Sequence, residues 1–127
     1  MTVFRLDGET YNVAVTKLTR KFSVLDSDKT GRVQSGAMYR DPIGTFYNYS
    51  MTVEPLDNDM ESMDAFWEAV SRPVKSHVCV FPYGQDVLTQ TMYITSGEQS
   101  LRLMTSQKNY WEGITLNFVA MEPKVVP

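Results

Sequence analysis

The sequence predicts a mostly-β (α+β) fold: a β-sandwich or partly closed barrel with one flanking helix and a long early loop. Three observations carry that expectation. Apolar and polar residues alternate through most of the chain with the two-residue period of half-buried strands. Residues 58–72 alone switch to steps of three and four, the period of a one-sided helix. Turn residues, not further helical runs, separate the segments, so the strands must pair mainly with one another. The order reads β-β-long loop-β-α-β-β-β-β, with neither an internal repeat nor a domain boundary.

Val3 to Leu6 followed by Asp7-Gly8 reads as the first arm of a hairpin, because that dipeptide suits a tight turn with positive φ. Tyr11, Val13 and Val15 then alternate with Asn12, Ala14 and Thr16, and the strand continues through Leu18 and Phe22 to Leu25. Its length implies a long strand or one with a bulge. Residues 26–44 fit neither period and are rich in Asp, Ser and Gly, the composition of a functional or disordered loop. Phe46 to Glu54 is the clearest strand, with Tyr47, Tyr49, Met51 and Val53 on one face; Pro55 ends it. Asn58 can cap the helix, with Glu61 completing a capping box, and Met60, Met63, Trp67 and Val70 form its apolar stripe. Pro73 stops it. His77 to Phe81 is a strand closed by Pro82-Tyr83-Gly84. Val87 to Thr95 turns at Ser96-Gly97, Ser100 to Met104 pairs back, and Ile114 to Ala120 is the last strand, before a short tail over 121–127.

At 127 residues the chain makes one domain, 1–127, long enough to bury a core without metals or disulfides. An apolar fraction of 43% and a charged fraction of 21% exclude a disordered tail. The net charge is −3, and no basic run exceeds Arg20-Lys21, which disfavours nucleic acid as a partner. No apolar run approaches the roughly 20 residues that span a bilayer, and Met1 to Arg5 does not open a secretory signal. The single Cys79 cannot form an internal disulfide, in keeping with synthesis in a reducing cytoplasm.

Few residues offer chemistry. The only imidazole is His77, and Cys79 stands two residues on along the same strand face without an orienting third group, a weak pattern for nucleophilic catalysis. One Cys and one His cannot close a zinc site. Asp26 to Val33 matches the first part of a calcium loop, but Ala37 stands where a bidentate carboxylate is required, so the stretch reads as an Asp/Gly-rich turn. Asp57, Asp59, Glu61 and Asp64 crowd the helix start, where the dipole accounts for them. Neither a catalytic residue, a cofactor nor a metal is expected.

The polar loop buries too little to order itself and makes sense if a neighbouring subunit orders it. Arg32, Met38, Tyr39 and Arg40 are residue types enriched at interfaces. The run Gly31-Arg32-Val33-Gln34-Ser35-Gly36-Ala37-Met38-Tyr39-Arg40-Asp41-Pro42-Ile43-Gly44 resembles a segment of small proteins from the tail-morphogenesis region of tailed phages and prophages of Gram-positive bacteria. Tyr110-Trp111-Glu112-Gly113-Ile114-Thr115-Leu116-Asn117-Phe118 is similar to the ending of the same proteins, and the helix and strands between fall in the same order. This chain departs from the pattern at Pro42 and in its tail after Met121. The resemblance implies a virion tail component made in the host bacterial cytoplasm: tail tube, baseplate or assembly factor. It implies subunits joined head to tail in rings or tubes, with Arg32, Met38, Tyr39, Arg40 and Asp41 at the partner contact. Trp111 is expected to anchor the last strand in the core, and Gly113 to allow a bulge or close approach.

The leading expectation is therefore a non-enzymatic phage or prophage tail protein whose partners are itself and other tail proteins, with no nucleic acid and no membrane. The alternative is a monomeric β-barrel binding module for a small ligand or peptide, supported by Tyr47 and Tyr49. An enzyme using Cys79 and His77 ranks third.

Overall fold

A computed structural model describes residues 4–27, 31–32 and 36–127, the side chains of Arg32 and Tyr39 excepted. Its elements are β1 (Arg5–Leu6), β2 (Ala14–Asp26), β3 (Gly31–Arg32), β4 (Met38–Tyr39), β5 (Pro42–Glu54), α1 (Met60–Val70), β6 (His77–Tyr83), β7 (Asp86–Tyr93), β8 (Leu101–Met104), β9 (Asn109–Trp111) and β10 (Ile114–Ala120). Six strands form one sheet in the order β1-β6-β7-β10-β5-β2, every pairing antiparallel. β3–β4 and β8–β9 make separate two-stranded ladders. The mostly-β, one-helix class holds and fits a β-sandwich, but the six-stranded sheet is open, so the barrel form of the expectation is corrected.

The alternation in β5 does what the sequence requires. Tyr49, Met51 and Val53 are buried and meet Ile114, Leu116 and Phe118 of β10 and Cys79, Phe81, Leu88 and Met92 of β6 and β7 in one core. Tyr49 stacks on Phe81 at 4.2 Å, Phe118 meets Phe81 edge-on at 5.0 Å, and Phe4 packs against both phenylalanines and Phe66. α1 lays Met60, Met63, Phe66, Ala69 and Val70 on this face of the sheet. Asp59, not Asn58, caps the helix: its carboxylate accepts from Ser62 N at 3.2 Å and Ser62 Oγ at 2.8 Å.

Several pairings differ from those expected. Asp7 and Gly8 do form a turn, at φ 52° and 83°, but β1 does not zip onto β2. β1 pairs instead with β6, Leu6 opposite Cys79, while β2 pairs with β5. β2 carries the anticipated irregularity, a register shift between Val15 and Lys17. β8 pairs with β9 and not with β7, whose neighbours are β6 and β10. Pro82 lies inside β6, on a stretch that β1 does not cover. Trp111 belongs to β9, half-buried beside Trp67, and not to the core of the last strand. Gly113 does permit a close approach, since a Cβ there would lie 2.5 Å from the Glu54 carboxylate.

Within the expected loop 26–44, the described residues include the end of the β2–β5 ladder and the short β3–β4 ladder. β2 and β5 run antiparallel from Ala14↔Glu54 to Asp26↔Pro42, and β3–β4 pairs Gly31 with Tyr39 and Arg32 with Met38 beyond them. Thirteen residues at about 3.3 Å each reach about 40 Å. β10 covers β5 only from Tyr49 to Val53, so the distal stem extends past the sheet.

Candidate functional site

The interface residues predicted from sequence come together at the distal end of the β2–β5 hairpin. Gly31↔Tyr39 and Arg32↔Met38 place three of them, Arg32, Met38 and Tyr39, by backbone register, and the Met38 side chain is 49% exposed. Arg40 does not reach outward as a free anchor. Its guanidinium donates to both carboxylate oxygens of Asp26, Nη2 to Oδ1 at 2.9 Å and Nε to Oδ2 at 3.2 Å. Asp41 likewise turns to its own chain: Oδ2 accepts from Ser27 Oγ at 2.6 Å, and its carbonyl accepts from Ser27 N at 2.8 Å. A forked guanidinium–carboxylate pair fixes orientation as well as distance. These contacts clamp the two stem strands where the ladder ends, so Arg40 and Asp41 hold the hairpin in shape while Met38, Leu25 and Ile43 supply its exposed apolar surface. Of the calcium-like stretch, Asp26 is committed to Arg40, and residues 28–30 lie outside the described residues.

The tail, which the sequence left without a role, braces the other side of the stem. Thr45 N donates to Val125 O at 2.8 Å and Lys124 N to Thr45 O at 2.8 Å. Gly44 makes this possible: a Cβ there would lie 2.7 Å from Pro123 Cβ and 2.8 Å from Val125 O. No periodic signal marks residues 123–125; the glycine inside an otherwise alternating strand was the available cue.

The second feature is the outer edge of β2, a strand that among the described residues pairs only with β5. Its apolar residues Val15, Phe22, Val24 and Leu25 are exposed, Phe22 at 72%. Arg20, Lys21, Phe22, Tyr47, Tyr49 and Tyr83 line a groove of about 340 Å³ between this edge and the β6–β7 turn. Arg20 lies over the Tyr83 ring at 5.6 Å, and the Tyr47 and Tyr83 rings are 5.4 Å apart. A hydrogen bond with Tyr83, and then burial, push the Tyr47 hydroxyl above its ordinary value; burial does the same for Tyr49, which donates to Pro82 O at 2.9 Å. The groove therefore holds neutral phenols and fixed cations. A third apolar surface is the β8–β9 hairpin, where Leu101, Leu103 and Met104 are exposed, Met104 at 70%.

Cys79 and His77 both face the core, as their spacing requires, but the arrangement opposes nucleophilic chemistry. Cys79 is fully buried, and burial followed by the charge of Asp7 pushes its thiol up to about 12, so almost no thiolate exists at neutral pH. His77 is committed to Asp7, Nδ1 to Oδ2 at 2.7 Å. Among the described residues no group of three or more His, Cys, Asp or Glu could hold a metal, and no helix is long and apolar enough to cross a membrane.

The fold and these surfaces define an open antiparallel sheet with one helix, extended by a clamped hairpin. Neither a family model nor a curated protein matches the sequence. Among solved structures, the chain is similar in fold to the Dit protein of phage SPP1, described as a paradigm of the hub adsorption apparatus in phages infecting Gram-positive bacteria. The TM-score is 0.53 at 11% identity, covering 97% of this chain and 51% of that one. The chain thus spans about half the length of the protein it matches.

Proposed function

We propose that this chain is a non-enzymatic structural component of a phage or prophage tail, working in the virion by assembly with copies of itself and with other tail proteins. The observation that carries the reading is the β2–β5 hairpin, which extends past the sheet and is clamped at its end by Arg40–Asp26 and Ser27–Asp41. The distal stem, about 17 Å from Lys21 to Asp26 at about 3.3 Å per residue, carries exposed apolar residues that are accounted for when a neighbour covers them. Met38 with Arg32 and Tyr39 would then make the contact, and Arg40 and Asp41 would position it. The fold-level likeness to a phage hub protein and the two sequence motifs support the same reading.

The test is light scattering on size-exclusion peaks over a concentration series, with negative-stain microscopy of each peak. Rings or tubes are expected for the intact chain and not for one in which residues 28–39 are replaced by a short turn. A strict monomer at every concentration, unchanged by the shortening, would refute self-assembly. The aromatic groove beside β2 favours a second reading, a binding module for a small ligand or peptide, and that monomer would direct the search there.

A further inference from the structure

Two faces of the chain carry unbalanced charge. Lys17 and Lys21 stand on the outward face of β2 and Arg20 on its other side, with no acidic residue between Glu9 and Asp26. Among the described residues none of the three has a carboxylate partner: Arg20 rests on Tyr83, and Lys21 Nζ donates to Asn117 Oδ1 at 3.5 Å. Glu61, Asp64 and Glu68 form an exposed ridge on α1, opposite its buried stripe, with no basic residue from Glu54 to Ser71. The nearest cations of the β8–β9 hairpin are spent elsewhere, Arg102 on the Asp57 carboxylate at 3.0 Å and Lys108 on the Asp57 carbonyl at 2.7 Å.

The two faces match in span. Lys17 and Lys21 lie opposite Thr52 and Asn48 on the same face of β2, about 13 Å apart at about 3.3 Å per residue. Glu61 and Glu68 are about 10 Å apart along a helix rising about 1.5 Å per residue, and lysine stems take up the difference. They cannot meet within one chain. α1 packs on the core face of the sheet, whereas Lys17 and Lys21 alternate with the core-facing Leu18 and point away from it.

We infer that the acidic ridge of α1 in one copy docks against the cationic edge of β2 in the next. Because the contact joins two different surfaces, it repeats head to tail and closes into a ring or continues as a filament. This rests on the self-assembly reading above and adds which faces meet.

The experiment uses two charge reversals in the full chain, Lys17→Glu with Lys21→Glu, and Asp64→Lys with Glu68→Lys. The helix pair lies beyond the first turn, where added lysines do not oppose the dipole. Thermal melts by circular dichroism check folding. If a reversal lowers the melt, the neutral pairs Lys17→Gln with Lys21→Gln and Asp64→Asn with Glu68→Gln replace it, with a several-fold weaker association expected. Sedimentation velocity is expected to show each reversal alone as monomer and their equimolar mixture reassembled, because every contact in an alternating array is again between opposite charges. Assembly of the unaltered chain is expected to weaken as salt rises. Assembly that persists in both reversals, that fails to return on mixing, or that strengthens when the lysines are removed would overturn this pairing while leaving self-assembly intact. An unaltered chain that never leaves the monomer overturns the self-assembly reading itself.

Discussion

Removing the carboxylate of Asp7 should uncouple the first strand from β6 in two measurable grades. Asp7 accepts from His77 Nδ1 at 2.7 Å and from Val78 N at 2.9 Å, and it sits at φ 52°, a conformation that Asp and Asn tolerate better than Ala. An ionised carboxylate only accepts, so His77 Nδ1 carries the proton. In Asp7→Ala the 4% exposed imidazole loses its partner, at a penalty of about 1–3 kcal/mol. The left-handed backbone adds about 1 kcal/mol, for a total of about 2–4 kcal/mol. Asp7→Asn keeps the backbone preference and one accepting oxygen, but its amide then faces a donor. Discounted for the 34% exposure of Asp7, that loss is about 1 kcal/mol.

The charge also sets a pH dependence. Burial raises the Asp7 carboxyl, but the His77 and Val78 hydrogen bonds and the positive fields of His77 and Arg72 outweigh it and hold it below the ordinary 3.8. The unfolded chain therefore takes up this proton first as pH falls. The stabilisation is fully present above about 3.8 and is lost as pH drops through the lower folded-state value. Urea unfolding followed by Trp67 and Trp111 fluorescence, at neutral pH and at steps down this acid limb, measures both effects. Equal destabilisation by Asn and Ala, or an acid slope that survives unchanged in Asp7→Asn, would refute the account.

Phe118→Ala removes a fully buried ring packed on Phe4 and Phe81, and should lower unfolding free energy by about 3–5 kcal/mol in the same assay. Two glycine substitutions should separate by what each Cβ meets. Gly44→Ala strikes Pro123 and the Val125 carbonyl, so the tail should detach and become digestible by carboxypeptidase, whereas Gly113→Ala meets only the movable Glu54 carboxylate and should cost under about 1 kcal/mol. Cys79, buried and pushed up to about 12, should react with iodoacetamide only through global unfolding, so its labelling rate should rise in step with urea-induced opening.

The elements legible in the sequence are those whose period reports a single buried face. Tyr49, Met51 and Val53 alternate because one side of β5 meets the core, and Met60, Met63 and Val70 recur helically for the same reason, while Trp67 of the expected stripe is half-buried and Phe66 beside it is buried. Period is silent about partners. The Asp7-Gly8 turn was readable from local chemistry, but Leu6 pairs with Cys79, and nothing near Leu6 encodes that choice. Alternation also cannot separate an edge strand from a central one: Val15 and Phe22 belong to the expected strand, yet β2 leaves them exposed. The stretch 26–44 looked structureless because β3 and β4 have two residues each, too few to show a period. Arg40–Asp26 and Ser27–Asp41, which shape the candidate site, join residues fourteen apart, so nothing local in the sequence shows that Arg40 and Asp41 turn to their own chain.

The placement of methionine has a practical consequence. Met51, Met63 and Met92 are no more than 1% exposed, while Met38 and Met104 stand open on two different hairpins. Thioethers oxidise to sulfoxides according to their access to oxidant, so mild peroxide should mark Met38 and Met104 and spare the other three in the folded chain. Met38 and Met104 are thus intrinsic footprinting labels for the two hairpins, with Met121, 36% exposed, a further one in the tail. Peptide mass spectrometry before and after assembly would read them separately: protection of Met38 would report the β2–β5 hairpin in contact, protection of Met104 the β8–β9 hairpin, with no residue changed.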